Sequence, residues 1–209
     1  MRYAIAVFIA FFMGAIPCAY IVGKVTKHID IREYGSKNPG AGNVFHLVSW
    51  RAGMVALLGD MAKGYFALYF IYRLYHFSPA VLTYLALVGV FGHVFSPFLR
   101  FKGGRGAAIT LGNFVFILIV AIHTRTVLIL TYMAIPWLVT LIFTHSQVIS
   151  LATIFPLFPV LLWFITKDIG FVIAVSIYMV ILEIFGMKSL KREWRVAYQK
   201  YVSHYFKHT

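Results

Sequence analysis

Apolar residues run through this chain in blocks of about twenty, the length an α-helix needs to cross a bilayer's hydrocarbon core. The blocks predict helices near 3–23, 52–72, 80–99, 107–122, 126–144, 147–165 and 168–187. The block at 107–122 is the shortest and is expected to be covered by its neighbours. Pro136, Pro156 and Pro159 fall inside later blocks. Lipid-embedded helices tolerate that, because neighbouring groups re-satisfy the freed carbonyls. Gly14–Cys18 faintly resembles a lipoprotein cleavage site, yet the apolar run continues through Tyr20, Ile21 and Val22, so the first block is expected to be a retained span. The pattern predicts an all-α integral membrane protein, a seven-helix bundle forming a single domain over 1–209, with no internal repeat.

Composition agrees: 61% of residues are apolar and 12% charged, more apolar surface than a soluble fold of this size has interior to hide. A formal charge of +13 would suit a nucleic-acid partner in a soluble protein, but the spans give it another meaning. Fourteen of the 19 Lys and Arg fall on one side of the predicted membrane and four on the other, with Lys63 inside a span. The positive-inside rule then places the N-terminus outside and the C-terminus in the cytoplasm. No nucleic acid is needed. The tail at 188–209 carries Leu190, Trp194, Ala197, Tyr201 and Tyr205 on one helical stripe, with Lys191, Arg192 and Arg195 mostly off it. It reads as a basic amphipathic helix lying on membrane lipid. One cysteine excludes a disulfide framework or a cysteine metal site, and the scattered histidines have no metal-ligand spacing.

Two links on the cytoplasmic side are too rich in glycine to be mere connectors. The first holds GSKNPGAGN, Gly35 to Asn43, a composition expected to stay out of regular helix. Its glycines let backbone N–H groups turn towards an anion, and Ser36, Asn38 and Asn43 add neutral hydrogen-bonding groups. An asparagine-capped turn with Pro39 supplying a fixed φ is the plainer account. The second is GHVFSPFLRFKGGRGAA, Gly92 to Ala108, which sets Lys102 and Arg105 on either side of a Gly-Gly pair just before a helix near Ala107. Cations, open amides and a helix N-terminus together suit a phosphate, although positive-inside anchoring alone would explain the charges. The spacing is not that of a Walker loop. His93 has a pKa range suited to a general base, or is a structural histidine. Asp60 and Lys63 lie on one face of the second span, either as an ion pair or as bracing beneath the polar loops.

These residues resemble the bacterial acyl-phosphate:glycerol-3-phosphate acyltransferases. GSKNPGAGN is similar to that family's first signature and GHVFSPFLRFKGGRGAA to its second, while Gly59–Gly64 resembles its Asp-x-x-Lys-Gly stretch. The resemblance is specific over 14–112 and topological beyond. It implies transfer of a fatty acyl chain from acyl phosphate to glycerol 3-phosphate, giving lysophosphatidic acid for phospholipid synthesis, in a bacterial plasma membrane with the active site facing the cytoplasm. Three departures stand out. His46 occupies the place of a usual Arg, Arg105 replaces a lysine, and the family's His-x-x-Asn after the last span is missing from the tail.

Acyl phosphate is already activated, so the remaining work is to position two anions, deprotonate an alcohol and stabilise an oxyanion. On the resemblance, Ser36, His93 and Arg105 are the candidate catalytic groups. Asn38, Gly40, Asn43, His46, Lys102, Gly103 and Gly104 are the candidate substrate- and phosphate-binding groups, with Asp60 and Lys63 bracing them. His93 is the candidate base, with a substrate phosphate oxygen as its alternative. No metal or cofactor is called for, and the sequence carries no sign of oligomeric state. A non-catalytic or retuned paralog binding anionic lipid or sugar-phosphate head groups is the main alternative. Transport is the third reading, since only Asp60 and Lys63 lie near the bilayer midplane.

Overall fold

The computed structural model describes residues 1–122, 135 and 157–185. The predicted span at 126–144, the first part of that at 147–165 and the tail at 188–209 lie outside the described residues. Among the described residues all regular structure is helical. It comprises α1 (Arg2–Ala15), α2 (Cys18–Lys27), α3 (Ala41–Leu47), α4 (Trp50–Tyr75), α5 (Pro79–Val94), a 3₁₀ turn (Pro97–Leu99), α6 (Ala107–Ile122), α7 (Leu157–Thr166) and α8 (Ile169–Phe185). Three helical segments there, Arg2–Lys27, Trp50–Tyr75 and Pro79–Leu99, are long and apolar enough to cross a membrane.

The structure departs from the predicted elements in three places, two of them set by a proline. The first span is broken: Pro17 has no N–H and its ring obstructs the preceding turn, so α1 ends at Ala15 and α2 restarts at Cys18. The third span stops at Val94 rather than 99, because Pro97 forces a 3₁₀ turn. The GSKNPGAGN segment, expected to be free of helix, supplies the first turn of α3, which starts just after Gly40. Its first six residues, 35–40, stay outside regular helix. By contrast α6 occupies 107–122 as predicted, and α4 runs from a Ser49 cap, whose hydroxyl accepts the Ala52 N–H at 3.2 Å, to His76 in the left-handed region.

The helices meet through small residues, as membrane helices do where close backbone approach replaces a hydrophobic driving force. A side chain at Gly14 would strike the Gly89 backbone of α5, and one at Gly112 the Met61 carbonyl of α4. A large apolar core joins α1, α4, α5, α6, α7 and α8. A smaller one, Ala19, Ile31, Ala41, Val44, Ala52 and Ala56, lies under the first glycine-rich loop and holds it against α2 and α4. Deeper in the bundle, Asn113 donates to the Ala86 carbonyl and pairs with the Tyr178 hydroxyl, which donates to Thr110.

Candidate active site

The first loop is shaped from behind by Asn43. From the first turn of α3 its carbonyl oxygen accepts the Ser36 N–H at 3.0 Å, and its amide donates to the Ile31 and Tyr34 carbonyls at 2.7 and 3.1 Å. Gly35 sits at φ +57°, where a side chain would also meet the Asn43 oxygen. Asn43 is thus buried and committed to the loop, and holds Ser36 in place rather than facing a ligand. The Ser36 hydroxyl accepts the Asn38 N–H at 3.4 Å. Gly40 caps α3, accepting the Asn43 N–H at 3.0 Å, and His46 is exposed on the same helix; neither lines the groove described below.

The second loop is folded by its own backbone. Ser96 donates its hydroxyl to the Ala15 carbonyl at 2.6 Å, fixing the end of α5 to the end of α1. Arg100 and Phe101 both adopt left-handed φ, +55° and +59°. That conformation costs a non-glycine residue ~1–2 kcal/mol, here offset by Phe101 N–H to Ser96 O at 2.8 Å and Lys102 N–H to Leu99 O at 3.2 Å. The Gly-Gly pair has a packing reason that sequence reading did not supply. Gly103 lies against the His93 and Val94 carbonyls, and donates its N–H to Val94 O at 2.9 Å. Gly104 lies against the His93 ring. The Gly103 amide, expected to bind phosphate, is therefore already spoken for.

Beneath Gly104 is a buried polar cluster. The Lys63 ammonium donates to the Ile16 carbonyl at 2.5 Å, meets His93 Nδ1 at 2.8 Å, and lies 2.8 Å from Asp60 Oδ1. The Asp60 contact is an ion pair at an angle that misses hydrogen-bond geometry. An ammonium has only protons to give, so His93 Nδ1 is the acceptor and the imidazole proton is assigned to Nε2. His93 was the candidate base. With one nitrogen held by a cation and the other packed on Gly104, its geometry suits support of the loop instead. Asp60 and Lys63 form the buried ion pair that their spacing on one helix face allowed.

The two loops face one another across a groove. Ser36, Lys37 and Asn38 line one side, Lys102, Gly103, Gly104 and Arg105 the other, and Val94, Phe95, Ile184 and Phe185 an apolar flank. Four charged residues missed by sequence reading also line it, Asp30, Arg32, Glu33 and Arg100. Arg32 chelates Asp30 with Nε at 3.0 Å and Nη2 at 2.7 Å, stacks over Tyr20 at 4.9 Å, and donates Nη1 to the Leu99 carbonyl at 3.2 Å. The Asp-x-Arg spacing hinted at the pair; the carbonyl it reaches, 67 positions away, gave no local signal.

The hydrogen bonds from Arg32 hold the Asp30 carboxyl below the usual carboxylate range, and Asp30 in turn raises the guanidinium. Because the folded-state value is the lower one, this stabilisation is full above pH ~4, the ordinary Asp value, and is lost as pH falls through the folded value. Thermal unfolding in detergent is expected to show Asp30→Asn below the wild type at pH 7. The gap should close as pH falls below about 4. Equal midpoints at pH 7 would remove the pair from the account of stability.

Residues 4–192 match the glycerol-3-phosphate acyltransferase family. A glycerol-3-phosphate acyltransferase of Fusobacterium nucleatum subsp. nucleatum is 32% identical over 189 residues, covering 90% of this chain and 92% of that protein. One of Leptospira borgpetersenii serovar Hardjo-bovis is 44% identical over 116 residues, covering 54% of this chain and 53% of its own. The fold is similar to the crystal structure of PlsY, an integral membrane glycerol 3-phosphate acyltransferase, in its glycerol 3-phosphate form, with a TM-score of 0.77. That similarity covers 93% of each chain at 22% identity, so it speaks for the fold. The glycine-rich loops, the near-complete span of the family match and the shared helical fold place this chain in the glycerol-3-phosphate acyltransferase family of membrane proteins.

Proposed function

We propose that this protein transfers a fatty acyl group from acyl phosphate to glycerol 3-phosphate, giving lysophosphatidic acid and inorganic phosphate. One observation carries the reading: two glycine-rich loops, about 65 residues apart in sequence, line one groove together with cationic side chains and the apolar Phe95, Ile184 and Phe185. Phosphate belongs among Lys102, Arg105 and the Gly104 amide, and Ser36 and Asn38 orient the glycerol. The acyl chain lies along Phe95, Ile184 and Phe185. A glycerol hydroxyl oxygen bonds to the acyl carbon, the acyl–phosphate bond breaks, and phosphate leaves. The hydroxyl proton passes to a phosphate oxygen of the substrate, because His93 is held from below and Asp30 is engaged by Arg32. Asp60, Lys63 and His93 support the second loop. Seven spans, an external N-terminus and a groove on the cytoplasmic face of a bacterial plasma membrane complete the reading, with the charge distribution as its support.

The test is direct. Purified protein given labelled glycerol 3-phosphate and palmitoyl phosphate is expected to form lysophosphatidic acid. Ser36→Ala/Arg105→Ala is expected to lower the rate by on the order of 10²–10³-fold, the usual effect of losing a preorganised polar contact to the reacting group. Wild-type turnover no higher than the double variant's would overturn the enzyme and favour a paralog that binds phosphorylated head groups without transferring acyl chains.

A further inference from the structure

We propose that Arg32 is a positioning residue for this reaction, fixing the turn that carries Lys102 and so the spacing of the two phosphate-facing loops. The inference rests on the acyltransferase reading and adds to it a residue outside both glycine-rich motifs. Its basis is a shared acceptor. The Leu99 carbonyl takes the Lys102 N–H at 3.2 Å, and it also takes Arg32 Nη1 at 3.2 Å. A carbonyl has two lone pairs, and both are used here.

Arg32 is itself aimed. Asp30 receives its Nε and Nη2, and the Tyr20 ring of α2 lies 4.9 Å from its carbon centre. A rigid path therefore runs from α2 through Tyr20 and Arg32 to Leu99 and Lys102. It ends on the part of the second loop least able to hold its own shape, since Arg100 and Phe101 are both in the left-handed region. A partly exposed Asp–Arg pair contributes modestly by itself; the bond to a carbonyl of the opposite loop gives this one its further consequence. Lysine cannot substitute fully. Its ammonium is a point donor without the planar fork that grips Asp30 on one edge and reaches Leu99 with the other.

The experiment is a double-mutant cycle on the full-length protein, read by steady-state formation of lysophosphatidic acid. Arg32→Gln is expected to raise the KM for the phosphate-bearing substrates about tenfold, the effect of one lost charged hydrogen bond. Its kcat should change by less than about threefold, since the contact is held in ground and transition states alike. Arg32→Lys should fall between. In a Lys102→Ala background Arg32→Gln should cost less than about twofold, because the group it positions is gone. Equal costs in both backgrounds would overturn the inference and make Arg32 a direct ligand or a purely global stabiliser; so would unchanged KM. If Arg32→Gln loses its cooperative unfolding transition, the same cycle is run with Arg32→Lys. A wild type that forms no product overturns the acyltransferase reading itself, whereas an active wild type with an additive cycle overturns only the role of Arg32.

Discussion

Lys63→Met is expected to cost the fold about 3–5 kcal/mol, the usual result of removing one member of a buried ion pair. Lys63 and Asp60 have side chains 4% and 2% exposed. Without the ammonium, Asp60 has no lysine or arginine at contact distance among the described residues. The Ile16 carbonyl also loses its charged donor and keeps only the Cys18 N–H at 3.1 Å and the Cys18 thiol at 3.9 Å. Asp60→Leu/Lys63→Met should recover part of the loss, because an apolar pair leaves no stranded charge. Thermal unfolding in detergent reads both variants. A single variant as stable as wild type, or a double variant worse than the single, would refute the cluster as described.

Gly103→Ala should sharply lower turnover although it touches no substrate-binding side chain. Its new methyl would run into the backbone oxygens of His93 and Val94, and neither is a flexible side-chain end that can swing aside. The loop must move, taking Lys102 and Arg105 with it. A displacement of about 1 Å in such a site costs on the order of 10²-fold in kcat/KM. Gly42→Ala is the matched control. It lies in the other glycine-rich segment, inside α3, and a methyl there meets nothing within 4 Å among the described residues. Alanine is the better helix former, so that variant should keep wild-type turnover and gain slightly in stability. Near-normal activity in Gly103→Ala would show that the loop's packing on α5 is not what places the cations.

These two glycines mark the boundary of what was legible in the sequence. Hydropathy located α4 and α6 closely, because a lipid-facing helix declares its length in composition. It missed the break at Pro17, since apolar residues continue on both sides and the averaging that finds spans is blind to one imino acid. At the site, residue types pointed to phosphate chemistry and the groove does gather Ser36, Asn38, Lys102 and Arg105. The reasons behind the types were harder to read. Glycine pairs were taken to expose amides, but Gly103 and Gly104 are small because His93 lies against them. Asn43 was expected to face a ligand and instead fixes Ser36. His93 pointed to a base because of its chemistry, while its partner Lys63 lies 30 positions away on another helix. Each of these site misses concerns a tertiary partner, from seven to 30 positions away, which neither periodicity nor spacing encodes.

The lysine in α4 also constrains how the protein is made. Its three partners come from the end of α1, from α4 itself and from α5. Helices enter a bilayer in chain order, so α4 arrives with an ammonium that only Asp60 can partly neutralise until α5 follows. A charge at mid-membrane carries ~2.5–3.5 kcal/mol on insertion scales. The stretch from Trp50 to Val94 is therefore expected to settle as one unit against the Ile16 carbonyl, and a chain truncated before His93 should insert α4 less completely.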